Sequence, residues 1–152
     1  MNPLTMAASA ALSLVAGLAA APAQAEPEAM GSVCAGKEVV RCVGFNVDRD
    51  NNRLRVWSAI FDATVSSPNP NFSVATSQVR LQRFVDGSWR TWSGSYADDH
   101  DGWHKSVDHA RSGLVDCRDG VGYTVRAVAY QKWKGAASAA STQVGPTTSV
   151  VC

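Results

Sequence analysis

The side chains able to do chemistry concentrate in one run, Asp98-Asp99-His100-Asp101-Gly102-Trp103-His104, with Asp108 and His109 just beyond it. All 3 histidines of the chain fall there, among aspartates. Carboxylate oxygens around a glycine turn suit Ca²⁺. His100 and His104 with an aspartate suit Zn²⁺. Asp98, Asp99, His100, Asp101 and His104 are therefore the candidate metal ligands, and they would imply a small secreted metal-binding protein or hydrolase. The spacing is not that of an EF-hand loop, and a His-x-x-x-His pair shares a face only on a helix. The competing reading is a polar, solvated crossover loop with no cofactor.

Other chemistry finds little support. The sequence has no Gly-x-Ser-x-Gly, no Ser-x-x-Lys and no phosphate-binding glycine loop. Past the first 25 residues the glutamates are Glu26, Glu28 and Glu38, so no pair of them can be placed across a cleft. Trp89 and Trp92 sit three apart on one expected strand and point to opposite faces. One belongs to the core, and the other is free to stack on a sugar ring or to pack under a loop or against Arg90. Asn71-Phe72-Ser73 fits a glycosylation acceptor.

Residues 1–25 read as a secretory signal peptide, with an apolar Ala- and Leu-rich run ending at Ala23-Gln24-Ala25. No later segment is apolar enough to span a bilayer. The chain beyond it carries all the charge, nearly balanced at a net +1. That leaves no electrostatic footprint for nucleic acid or anionic membrane. It is long enough for one domain with one core. The expected location is extracellular. Cys34, Cys42, Cys117 and Cys152 all follow the leader, and an even number in an oxidising compartment predicts two disulfides. Four cysteines allow three connectivities, and counting does not choose among them.

Residues 26–36, small and polar, read as a flexible N-terminal segment, and residues 37–152 as a single domain. Within it the pattern predicts short strands. Glu38–Asn46 comes first. In Arg53–Ala63, Leu54 and Val56 occupy one face and Trp57, Ala59 and Phe61 the other. Ser77–Val85 and Ser88–Ser93 flank a hairpin turn at Asp86-Gly87. Gly102–Ala110 is a weaker strand. Val121–Trp133 alternates best, and Thr142–Val151 is interrupted at Gly145-Pro146. Gly135–Ala140 is the one place where a short helix competes. About seven short strands with turn signals between them argue for an all-β sandwich.

Cys117-Arg-Asp-Gly-Val-Gly-Tyr123-Thr-Val-Arg-Ala-Val-Ala-Tyr130 resembles the sixth strand of a fibronectin type III domain, an immunoglobulin-like antiparallel sandwich. Arg80–Trp89 is similar to that family's third strand and the hairpin after it. The resemblance implies that Tyr123 is a tyrosine corner, its hydroxyl bonded to nearby backbone. It implies that Cys117 and Cys152 meet at one pole, which leaves Cys34 and Cys42 to close a local loop. It also places loops near residues 62–76, 96–102 and 131–137 at the opposite pole, with Lys132-Trp133-Lys134 at a loop tip. Those three residues are the candidate binding site, with Trp133 either exposed or folded over the sandwich end as a lid. Because the family is mainly one of adhesion and spacer modules, the function implied is non-enzymatic binding of an extracellular protein or polysaccharide. A protease inhibitor presenting one rigid loop is the remaining alternative.

Overall fold

A computed structural model describes residues 28–64, 71–99 and 101–152 of the chain. The expected leader, most of the Ser66–Asn71 loop and His100 lie outside the described residues. The described residues form twelve strands: β1 Glu28–Ala35, β2 Val39–Asp48, β3 Arg53–Asp62, β4 Phe72–Val85, β5 Ser88–Thr91, β6 Ala97–Asp98, β7 His104–Lys105, β8 Val107–Arg111, β9 Val115–Asp116, β10 Gly122–Gly135, β11 Ala139–Val144 and β12 Thr148–Val151. They make two antiparallel sheets. One runs β1-β2-β3-β8, with β9 also on β3. The other runs β11-β10-β4-β5, with β12 on β10 and with β6 and β7 on β4. Among the described residues no helix is long and apolar enough to cross a membrane.

Alternation explains the inner faces. In β3, Leu54, Val56, Ser58, Ile60 and Asp62 point inward without interruption. Trp57 therefore lies on the outer face, opposite Gly44 of β2. A side chain at Gly44 would start 2.8 Å from the indole, so glycine is what lets the ring lie flat there. The β4–β5 hairpin turns at Asp86 and Gly87, both at positive φ (51° and 76°). Gly145 and Pro146 split the last strand into β11 and β12, both on β10. The Ala-rich stretch forms no helix. Ala139 and Ala140 already pair with Trp133 and Lys132 as the start of β11.

Residues 28–35, expected as part of a flexible lead-in, form β1 and pair with β2. Cys34 stands directly opposite Cys42 and is bonded to it, which ties the segment down whatever its composition. The second disulfide joins Cys117 to Cys152. At that pole Tyr123 packs its ring 4.7 Å from buried Trp92, and its hydroxyl accepts a hydrogen bond from Arg118 N at 3.2 Å.

The interior holds two apolar clusters. The larger includes Val43, Phe45, Leu54, Val56, Leu81, Trp92, Val125 and Ala127. The smaller consists of Val39, Ile60, Phe72 and Val74, with Trp133 against it. A polar belt from three strands also lies in the interior. Ser58 Oγ is 3.3 Å from Thr76 Oγ1, and the fully buried Gln131 places its Nε2 2.8 Å from Ser58 Oγ, 3.0 Å from Ala59 O and 3.2 Å from Cys42 O.

Asp62 fastens the far end of β3. Its carboxylate accepts from Thr64 N at 2.8 Å, from Thr64 Oγ1 at 2.5 Å and from Phe72 N at 2.9 Å. Burial by itself would raise its pKa, but the hydrogen bonds from Thr64, Phe72 and Asn71 together hold it below the usual carboxylate range. A depressed folded pKa gives stability that is present above the unfolded value, near 3.9, and lost as pH falls through the folded one. Asp62→Asn is expected to cost about 1–2 kcal/mol at pH 7. In urea unfolding the gap to wild type should close as pH falls from about 4 towards 2. A gap of constant size would show that the charge does not matter.

Candidate functional site

The Asp/His run crosses from β5 to β8 along the open edge of β4. β6 pairs with Gln78 and Val79, and β7 with Ser73 and Val74. This tethering at both ends brings Asp99, Asp101 and His104 beside Asp108 of β8. His104 Nε2 lies 2.9 Å from Asp101 Oδ1 and 3.7 Å from Asp108 Oδ1. Asp108 is 4% exposed, and its other oxygen accepts from Thr76 N, so it links the two sheets. The link falls where β4 bulges against β10 between Tyr130 and Gln131. Asp101 raises the pKa of His104, and His104 in turn lowers that of Asp101. Burial raises the pKa of Asp99, with the charges of Asp101 and Asp108 acting the same way.

Of the five expected metal ligands, Asp99, Asp101 and His104 thus converge. Asp98 lies in β6, and His100 is outside the described residues. Asp108, four residues past His104, completes the group. His109 is the neighbour of Asp108 in an alternating strand and is exposed on the opposite face, paired across from Ala59.

The Lys132-Trp133-Lys134 group is divided. Residues 131–135 are the end of β10 rather than a loop tip, just as residues 72–76 open β4. Alternation continues from Val125, Ala127 and Ala129 through Gln131 to Trp133, which turns inward. It covers Val39, Ile60, Phe72 and Val74, with the Arg41 guanidinium 5.0 Å from its ring centre. Arg41 also donates to Ser141 Oγ at 2.6 Å. Trp133 is therefore the lid. Its two lysine neighbours face outward and meet a different tryptophan. Trp103, 41% exposed, has Lys134 Nζ 4.3 Å and Lys132 Nζ 5.0 Å from its ring centre.

This contact begins a row along the outer face of β10. Next to it a cleft of about 270 Å³ lies among Ala75, Ser77, Gln78, Asp99, Gly102 and Lys132. Then comes Tyr130, 41% exposed, bordering a small hollow with Gln78, Arg80, Val128 and Thr142. At the far end the Arg126 guanidinium lies 4.2 Å from the Trp89 ring centre and Phe84 is tilted against that ring with centroids 5.3 Å apart, while Arg126 donates to Gln82 Oε1 at 2.9 Å. Trp89 is the tryptophan that reaches the surface and Trp92 the one in the core.

Tyr130 and Trp103 do not stand out in the sequence. Strict alternation from Thr124 and Arg126 would have put Tyr130, Lys132 and Lys134 on one face, had the strand not been ended early. Nothing local signals that Trp103 reaches the lysines, because the strand between them comes earlier in the chain. Compared with known proteins, the chain matches no family model and no curated sequence.

Proposed function

We propose that the chain is a secreted, non-enzymatic binding module of immunoglobulin-like, fibronectin type III-like build that recognises an extracellular polysaccharide across the outer face of β10. The build is supported by the strand order, in which β2-β3-β8 faces β11-β10-β4-β5, and by the Tyr123 hydroxyl contact. Two disulfides are compatible with an extracellular protein. The working surface moves from the pole loops to the sheet because Trp103 and Tyr130 are exposed there and Trp89 reaches the same face.

The observation that carries the binding reading is the row Trp103, Tyr130 and Trp89, with Lys132, Gln78, Thr142, Arg80 and Arg126 set between. A sugar ring offers an apolar C–H face that packs on an aromatic plane and a rim of hydroxyls that pair with amide, hydroxyl and cationic groups. From Arg126 to Lys134 the strand advances about 26 Å at ~3.3 Å per residue, the length of an extended polymer rather than of a single sugar. Burying such aromatic anchors is what gives a surface its affinity.

Affinity electrophoresis against a panel of soluble bacterial and plant polysaccharides tests this. At least one should retard the wild type. Trp103→Ala and Tyr130→Ala should each weaken that binding about tenfold, about 1.4 kcal/mol, with unchanged unfolding midpoints. No retardation by any polymer, or retardation indifferent to both substitutions, would remove the polysaccharide reading. Capture of a single extracellular protein, lost in the same two variants, would replace it with a protein ligand.

A further inference from the structure

We propose that Asp101, His104 and Asp108 form a zinc site that pins the crossover between the two sheets. The argument is geometric. Ligand atoms 2.0–2.1 Å from a tetrahedral zinc stand about 3.3 Å from one another. The two measured separations at His104 Nε2, 2.9 and 3.7 Å, bracket that edge, and all three ligand atoms lie within 4.8 Å of each other.

A nearly solvent-free ligand atom also points into the group. His104 Nε2 has almost no solvent contact and makes no aligned hydrogen bond, although a carboxylate oxygen is 2.9 Å away. Asp108 is a carboxylate at 4% exposure, with one oxygen accepting from Thr76 N and the other 3.7 Å from His104 Nε2. Burying an anion is costly unless a cation pairs with it, and at this place the cation is either protonated His104 or a metal ion that takes the same nitrogen. The Thr76 bond holds the carboxylate in place, as outer partners do for metal ligands. One imidazole with two carboxylates is a donor set for zinc rather than calcium, which takes oxygen ligands in larger number. The three ligands come from the crossover loop, β7 and β8, so the ion would lock the loop that delivers Trp103 to the lysines. The site does not depend on the polysaccharide reading.

The test is calorimetric titration of zinc chloride into the untagged full-length protein after chelator stripping. The expected result is one ion per chain with a dissociation constant in the micromolar range or below, and an unfolding midpoint that rises in zinc. Asp101→Asn and His104→Ala change side chains at the surface and should fold. Each should weaken zinc binding at least tenfold and abolish the midpoint shift. His109→Ala should leave both unchanged. No saturable heat in the wild type overturns the proposal. So does equal affinity in Asp101→Asn and His104→Ala, or loss of binding in His109→Ala, either of which would place the ion elsewhere.

Discussion

Replacing Cys117 and Cys152 together with serine should lower stability by about 4 kcal/mol, the loop-closure value for 35 residues, and this is the largest single effect expected in the molecule. The bond ties the short last strand to the segment leading into β10, at the pole where Tyr123 packs on Trp92. β12 is only Thr148–Val151, held by the ladder to β10, by buried Val150 and by hydrogen bonds from Gly120 N to Cys152 O at 2.7 Å and from Cys152 N to Val121 O at 3.4 Å. The Cys34–Cys42 bond closes 8 residues between strands already paired, so removing it should cost about 2.5 kcal/mol. Urea unfolding of the two double-serine proteins checks both. An effect at the short loop equal to or larger than that at the long one would show that the bonds act through the folded state and not through the unfolded chain.

The second large effect is at Trp133. Trp133→Ala should destabilise by about 3 kcal/mol, at the low end of tryptophan truncations because the ring is only half-buried. The loss falls on Val39, Ile60, Phe72 and Val74, which would become the open end of the sandwich, and on the Arg41 guanidinium, which would lose its aromatic partner. Lys132→Ala and Lys134→Ala should each change stability by under about 0.5 kcal/mol, as surface positions do. Thermal unfolding of the three variants separates the cases. A neutral Trp133→Ala would mean that the ring is not a lid.

How far the sequence led can be seen strand by strand. β3, β10 and the Asp86-Gly87 hairpin were legible because alternation and turn residues are local signals. β1 was not. Its composition gives no alternation to read, and it is held by the disulfide, the ladder to β2 and the packing of Met30 and Val33 against the core. The end of β10 was misjudged because the resemblance places a pole loop at residues 131–137, whereas the strand runs on to Gly135. For Asp101, His104 and Asp108, the run of aspartates and histidines is visible in the sequence, but which of its members meet is not. Which members converge depends on β6 and β7 docking to β4 and on the phase of β8, which turns Asp108 inward and His109 out. The aromatic row was the least visible part, since its members come from three stretches that meet only once both sheets are built.

The polar belt inside the sandwich fixes how the two sheets are aligned. Apolar faces alone would tolerate sliding, because valine against valine looks much the same one pair along. Gln131 permits no such freedom, since its amide must meet the carbonyls of Cys42 and Ala59 and the hydroxyl of Ser58. A one-residue slip of β10 would swing Lys132 into the interior and Gln131 into water. A two-residue slip would bring Ala129 or Trp133 to the level of those carbonyls, and neither side chain can replace the amide's hydrogen bonds. Misregistered packings of this chain are therefore discouraged by hydrogen-bond geometry, and the native alignment stands apart from its nearest competitors by the contacts of one side chain.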